Sequence, residues 1–278
     1  MSGPEDVAPE VIGHYDRSDE VTRLDSGVGL VERDRTRRIS ERFLPPPPAV
    51  VVDVGGGAGV HALWLARAGY EVHLSDPVPK HIEQARFAAE DAGVALGSVT
   101  VGHAGDLAHG DGSADAVLAL GPLYHLVDPD ARAAALGEAF RVLRPGGRLF
   151  AAAINKYTSM INAFREQLLT DAEFITIVDG DLASGRHVNA TGRADYFTTA
   201  FVHHPDELES ELSTAGFVDV EILAVEGVAW TIGDIDRVWA DDRARRELLR
   251  LLERTESEPA LLGASPHLLG VGRRPDNS

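Results

Sequence analysis

The sequence predicts a doubly wound α/β fold, with a mostly parallel sheet, a helical N-terminal extension and an insertion after the fifth strand. Three observations carry this prediction. Short apolar runs alternate with helix-period segments through residues 49–154, and continuous apolar strands are expected where helices cover both faces of a sheet. The stretch Asp53-Val54-Gly55-Gly56-Gly57-Ala58-Gly59 falls between the first such run and the first such helix, so it reads as strand, tight turn, helix. Glycine or a Pro-Gly pair closes the helices that follow.

Residues 1–44 form the expected helical extension or cap. After a polar start, residues 11–44 mix charges of both signs with apolar Leu24, Leu30, Val31, Ile39 and Leu44. Pro45-Pro46-Pro47-Pro48 cannot continue a helix and leads, extended, into the strand 49–54. A helix over 60–68 ends at Gly69, and Glu71-Val72-His73-Leu74-Ser75-Asp76 is a second strand with a carboxylate at its end. Strand, helix, strand makes a right-handed βαβ unit.

The next helix, 79–92, stops at Gly93, and Val99-Thr100-Val101 starts a third strand leading to Gly105-Asp106. A fourth strand spans 115–120. Asp128-Pro129 supplies an N-cap and a first-turn proline to a helix with Ala133, Leu136, Phe140 and Leu143 at helical spacing, and Arg144-Pro145-Gly146-Gly147 ends it. Strand five is 148–154, completing the core 45–154. Residues 155–204 interrupt the alternation with polar sequence and scattered aromatics, as an inserted lid would. In the remainder, 205–278, the α/β pattern returns as a helix over 205–215, a strand over 218–225, one helical stretch over 234–254 and a last strand over 267–273.

Composition narrows the function classes. A chain of 278 residues, 44% hydrophobic, can bury one large core, and its net charge of -18 argues against a groove for phosphate backbones. With no cysteine, disulfides, thiolate zinc sites and thiol nucleophiles are excluded. The start MSGPEDVAPE lacks a basic segment and an apolar core, and no run approaches a membrane span, so a cytoplasmic protein acting on a small molecule is expected, without nucleic acid or membrane partners. His203-His204 offers adjacent imidazoles, but neighbours on extended chain point to opposite sides, so no metal site is predicted.

The glycine loop admits two cofactors. Read as Gly57-Ala58-Gly59-Val60-His61-Ala62 it fits the dinucleotide pattern G-x-G-x-x-A, with Asp76 near the distance of a ribose-binding acid, which would make an NAD(P)-dependent dehydrogenase. Read as Asp53-x-Gly55-x-Gly57-x-Gly59, it resembles motif I of the class I S-adenosylmethionine-dependent methyltransferases. Leu143-Arg144-Pro145-Gly146-Gly147 resembles that family's L-x-P-G-G turn, and Asp106 stands where the family has an adenine-proximal acid. The resemblance covers roughly 49–154 and, more loosely, 205–273, and the flanks are similar to small-molecule members of the methyltransferase type 11 group. It implies a Rossmann-like, seven-stranded sheet, parallel except for the last strand, with S-adenosylmethionine as cofactor.

On that resemblance Asp53, Gly55, Gly57, Gly59, Asp76, Asp106, Leu107 and Leu120 are the expected cofactor residues. A carboxylate at a strand end suits a ribose diol, each charge-assisted bond being worth roughly 1.5–3 kcal/mol. An acidic rim tolerates a sulfonium and an ammonium better than a pyrophosphate. Asp53 can alternatively order the loop by accepting backbone N–H groups. The segment Gly121-Pro122-Leu123-Tyr124-His125-Leu126 follows strand four, where the acceptor must approach, and resembles the family's G-x-L-Y-H-L stretch. His125 is the candidate base, or else a residue that shapes the pocket. Tyr15, with His14, Asp16 and Arg23, resembles the segment that closes over the cofactor, and Tyr124, Tyr157 and Tyr196 are candidate acceptor contacts. Arg186, His187, Asn189 and Arg193 are further candidate readers. Alignment alone can supply roughly 7–11 kcal/mol of acceleration. A non-catalytic cofactor-binding module is the other alternative, and the state is expected to be monomer or homodimer.

Overall fold

The computed structural model describes residues 9–17 and 22–276. Two helices, α1 (Pro9–Arg17) and α2 (Val28–Phe43), precede the sheet. The first half then alternates as β1 (Val50–Val54), α3 (Val60–Arg67), β2 (Glu71–Asp76), α4 (Pro79–Asp91), β3 (Ser98–Val101) and β4 (Ala114–Ala119). After α5 (Pro122–His125) and α6 (Pro129–Val142), whose N-cap Asp128 accepts from the Asp130 N–H, comes the long β5 (Leu143–Asn155). Strand assignment begins five residues before the expected 148 because Leu143 already pairs with Ala114; the Pro-Gly-Gly turn is a bulge before Ala116 meets Arg148.

The segment after β5 folds as α7 (Thr158–Arg165), α8 (Ala172–Ser184), β6 (Arg186–His187) and β7 (Ala200–His203). The chain then continues through α9 (Pro205–Thr214), β8 (Val218–Ala224), α10 (Ile235–Ala240), α11 (Asp242–Thr255), α12 (Pro259–Leu262) and β9 (His267–Arg273). The single helical stretch expected over 234–254 is two helices. Asp241 breaks it by capping the second, its carboxylate accepting from the Arg243 and Ala244 N–H groups.

The main strand order is β3-β2-β1-β4-β5-β9-β8, parallel except for β9, which runs antiparallel to both its neighbours. Among the described residues the sheet has nine strands where seven were expected. The extra two come from the insertion: β7 pairs in parallel with the last residues of β5, Ile154 and Asn155, and β6 pairs antiparallel with β7. Alternation along each strand separates two cores. Leu149, Ala151 and Ala153 of β5 face Leu136 and Ala139 of α6 and Leu208 and Leu212 of α9. Phe150 and Ala152 face Leu65 of α3, Ile82 of α4 and Ile39 of α2. Each such leucine or isoleucine stabilises the fold by roughly 1.5–3 kcal/mol through burial.

Helix α2 is charged in sequence yet sits inside the molecule. Val31 packs with Ala229, Ile235 and Leu252, and buried Arg35 pairs with buried Glu256. This docking brings residues 23–36 to the carboxyl ends of the strands. There the reversal of strand order between β1 and β4 opens a crevice, the usual ligand position in such sheets.

Candidate active site

The glycine loop is tied to β2. The Gly55 and Gly56 N–H groups donate to the Ser75 carbonyl at 2.8 and 3.2 Å, and the Gly57 N–H donates to Asp76 Oδ2 at 2.9 Å. Gly57 has φ 54° and open space where a Cβ would stand, on the wall of a cavity. Gly59, at φ 89°, lies outside that cavity and faces Ala85 of α4, so it serves the turn and the helix contact. The expected trio therefore divides: Gly55 and Gly57 line the cavity and Gly59 does not.

Two acids stand at its floor. Asp53, 1% exposed at the end of β1, accepts from the Ala62 N–H of α3, while its Oδ2 has no partner among the described residues. Burial, then the neighbouring Asp76 carboxylate, push its pKa up to about 7 against that one backbone bond. Asp76 is buried at the end of β2 and engaged by the Val78 N–H at 2.9 Å and His81 Nδ1 at 3.0 Å, both on Oδ1, and by the Gly57 N–H on Oδ2, which keeps capacity to accept a further bond. The other nitrogen of His81, Nε2, is buried on the cavity wall without a partner among the described residues.

Leu120 also lines the cavity, but Asp106 and Leu107 do not. The wall at that point is Gly102, His103, Ala104 and Gly105; the chain then turns, with the Asp106 N–H on the His103 carbonyl at 3.3 Å. Asp106 ends exposed, and Leu107 is buried in the core with its N–H on Glu138. Both residues follow directly on the stretch 102–105 that lines the cavity.

Helix α5 turns Tyr124 and His125 towards α1. A hydrogen bond of 2.7 Å joins His125 Nε2 and Tyr15 Oη; the side chain of Asp16 is not among those described. Burial, with a contribution from His14, draws the His125 pKa down to about 4, although the Thr199 carbonyl and Asp76 pull upward. The ring is neutral at physiological pH. Tyr15 and Tyr124 also border a second cavity, which continues the first. Its aromatic side is Phe174, Tyr196 and Phe197, and its polar side is Thr158, Ser159 and Asn162 of α7. Phe197 holds φ 64°, a strained value for a bulky residue, with its ring over His125 at 5.8 Å.

Of the expected acceptor contacts, Tyr124 and Tyr196 line this second cavity and Tyr157 does not; it packs beside Gly263 and His204. The Tyr196 hydroxyl donates to Asp171, so the ring face is what it offers. His187 reaches the cavity, held by Asp181, whereas Asn189 braces the loop by donating to the Arg193 and Phe197 carbonyls and Arg186 and Arg193 are exposed. His203 and His204 take separate partners, Glu211 and the α9 N-terminus, as their alternation on extended chain requires.

Sequence reading missed an ion-pair network at the junction of the cavities. Arg23 grips Glu32 with two bonds of 2.7 and 2.9 Å, and His267 Nδ1 lies 2.6 Å from Glu226, which is fully buried. Despite burial, Arg23 and His267 hold the Glu32 carboxyl down at about 2. Burial also opposes a charge on His267, but Glu226 and Glu32 lift its pKa to about 9. Glu32, Glu226 and His267 bring ligand-type atoms within 4.8 Å of one another. Their two negative charges are already answered by Arg23 and the imidazolium, so we read the group as an ion-pair network. Only long-range folding assembles it: Glu226 and His267 are 41 residues apart, and neither stands in a motif.

A family model described as a methyltransferase domain matches residues 51–147, the stretch from β1 to the bulge of β5. An uncharacterized methyltransferase of Mycobacterium tuberculosis is 36% identical over 136 residues, covering 48% of this chain and 52% of the relative. A ubiquinone biosynthesis O-methyltransferase of Methylocella silvestris is 30% identical over 178 residues, covering 56% of this chain and 67% of the relative. The chain belongs to the class I S-adenosylmethionine-dependent methyltransferases. A solved S-adenosylmethionine-dependent methyltransferase of Methanosarcina mazei shares the fold of this methyltransferase, with a TM-score of 0.59 at 19% identity over 86% of this chain and 98% of that one. The chain spans about half the length of the first-matched relatives, 52%.

The residues present fit S-adenosylmethionine. A methyltransferase cofactor needs acceptors for a diol and an ammonium, and the cavity holds Asp76 and the unpaired oxygen of Asp53. The buried, unpaired His81 Nε2 and the open face of Gly57 are further places for a ligand to satisfy or fill. No helix among the described residues is long and apolar enough to cross a membrane.

Proposed function

We propose that this chain transfers a methyl group from S-adenosylmethionine to oxygen or nitrogen of a small molecule by in-line displacement. The observation that carries this reading is the pair of joined cavities, one holding the glycine loop with Asp53 and Asp76, the other walled by aromatic rings, with Tyr15 and Tyr124 at their junction. The cofactor supplies an electrophilic methyl on a sulfonium; everything else falls to the chain. Asp76, braced by His81, holds the ribose hydroxyls, and Asp53 orders the loop and faces the cationic end. Gly55 and Gly57 let the backbone close on the ligand, with Leu120 as an apolar wall.

Residues 1–44 and 155–204 serve as covers on the acceptor side, around the 45–154 core and its 205–278 continuation. Tyr15, fixed by His125, closes over the reacting atoms and excludes water, while Tyr124, Tyr196 and Phe197 orient the acceptor. His125 is a weak base in this setting, and alignment is the main source of rate. A small-molecule acceptor, a cytoplasmic setting and a monomer or homodimer belong to the same proposal. The O-methyltransferase name of the Methylocella relative supports an oxygen acceptor. Calorimetry tests the cofactor: S-adenosylhomocysteine binds and NADH does not, whereas tight NADH binding would return the dehydrogenase reading. Labelled-methyl transfer into a metabolite extract tests turnover, and cofactor binding with no transfer to any component would leave a non-catalytic binding module.

A further inference from the structure

His267 opens β9 opposite Ile154, so it stands at the carboxyl end of β5 beside the crevice. It lines both cavities. Its backbone N–H and its ring Nδ1 both engage Glu226, at 3.2 and 2.6 Å, and Ser265 Oγ lies 3.3 Å from the same carboxylate. With Nδ1 committed to Glu226, Nε2 is the ring atom left to offer a ligand in the cavities that His267 lines. The charged groups facing the ring are Glu226 beyond β8, Glu32 of α2 at 4.0 Å and Arg23 before α2; His61 of α3 acts on the same Glu32. Both carboxylates favour a cationic ring, and the two terminal nitrogens of Arg23 are already spent on Glu32.

Resting on the methyltransferase reading above, we propose that the His267 imidazolium, clamped by Glu226 with Nε2–H left to the cavity junction, holds the acceptor's nucleophilic oxygen as an anion. The acceptor class is therefore an acidic hydroxyl compound, a phenol or an enol, and not an amine. An alkylammonium has only donors to set against the Nε2–H donor, and it would still have to shed a proton to His125, which is a weak base. An acidic hydroxyl loses its proton to solvent on binding. The oxygen lone pair then forms the C–O bond as the methyl C–S bond breaks, and that electron pair stays on sulfur. The aromatic residues of the second cavity suit the planar ring of a phenol, and Ser159 and Asn162, which also line it, can bond further substituents.

The test uses 4-nitrophenol, whose anion is coloured, added to the full chain loaded with S-adenosylhomocysteine at a pH about one unit below the free phenol's pKa. The expected result is growth of the phenolate band on binding, an apparent pKa lowered by about one unit or more, and no competition from benzylamine. His267→Gln keeps cofactor affinity and loses the band. If that variant loses the cofactor, Glu226→Gln makes the same comparison, because it leaves the imidazole and removes its counter-charge. Binding of 4-nitrophenol in its neutral form, no binding, displacement by benzylamine, or a band unchanged in both variants would each overturn the proposal. Failure of S-adenosylhomocysteine to bind the unaltered chain would instead overturn the cofactor reading beneath it.

Discussion

Tyr15 and His125 are 110 residues apart in sequence, yet a 2.7 Å hydrogen bond joins them where the two cavities meet. One belongs to a helix before the sheet and the other to the short helix after β4, so the bond ties the N-terminal segment to the crevice.

That bond gives the first prediction. A positioned base contributes about 10²–10⁴-fold, most effectively with a pKa near the working pH, whereas burial holds His125 at about 4. His125→Ala is expected to lower kcat/KM by about tenfold or less, and Tyr15→Phe to raise KM with a smaller change in kcat. The pH–rate profile should show no limb belonging to His125 near 6.5. A loss of a thousandfold together with such a limb would restore His125 as the base.

Asp53 gives the second. Its pKa is raised by burial and Asp76 to about 7, so unfolding lowers its proton affinity. Between the unfolded value near 3.9 and 7 the folded chain binds more protons, so this group's contribution to stability falls as pH rises through that window and is flat above it. A cationic ligand favours the carboxylate. S-adenosylhomocysteine, which keeps the ammonium, should bind more tightly as pH rises through 7, releasing close to one proton at pH 6 and little at pH 8. Calorimetry in buffers of different ionisation enthalpy measures that proton, and Asp53→Asn should abolish it while raising Tm at pH 8.

The βαβ core was legible because its signals are local. Valine-rich runs, glycine stops and the Asp128-Pro129 cap place strands and helices within a few residues of their observed bounds, and β2 and β9 fall where the pattern alone puts them. The positions of Asp53 and Asp76 were legible for the same reason, being anchored to strand ends. The exposure of the Asp106 side chain was not, because spacing alone does not say which way a side chain at the end of a turn faces. The network of Arg23, Glu32, Glu226 and His267 was not legible either. Its members are brought together only by the tertiary fold, around the one fully buried carboxylate, Glu226, and the Glu32 and His267 shifts arise from those neighbours. Tyr157 resembled its aromatic neighbours in composition, but its position just before α7 turns it towards Gly263.

Asp76 carries the third prediction. Asp76→Ala removes the acceptor for the diol and also releases the Gly57 N–H and His81 Nδ1. Binding of S-adenosylhomocysteine should weaken tenfold to a hundredfold, about 1.4–2.7 kcal/mol. His81→Phe, which fills the space without bonding Asp76, should cost less. Equal affinity in Asp76→Ala and the unaltered chain would remove the carboxylate from the cofactor site.

The loop glycines separate folding from binding, which gives the last prediction. Both Gly57 and Gly59 hold positive φ, so alanine at either costs about 1–2 kcal/mol in backbone strain. At Gly59 the added Cβ meets Ala85 Cβ at 3.4 Å, an ordinary contact, and that side of the loop faces away from the cavity. At Gly57, which lines the cavity, the Cβ meets nothing within 4 Å. Gly59→Ala should therefore lower Tm by several degrees with little change in S-adenosylhomocysteine affinity. Gly57→Ala should lower Tm by a similar amount and weaken binding at least tenfold. Thermal melts with and without ligand distinguish the two: the ligand-induced rise in Tm survives in Gly59→Ala and shrinks in Gly57→Ala. Equal shrinkage in both would mean that the loop acts as one rigid unit and that the cavity wall at Gly57 has no separate role in holding the cofactor.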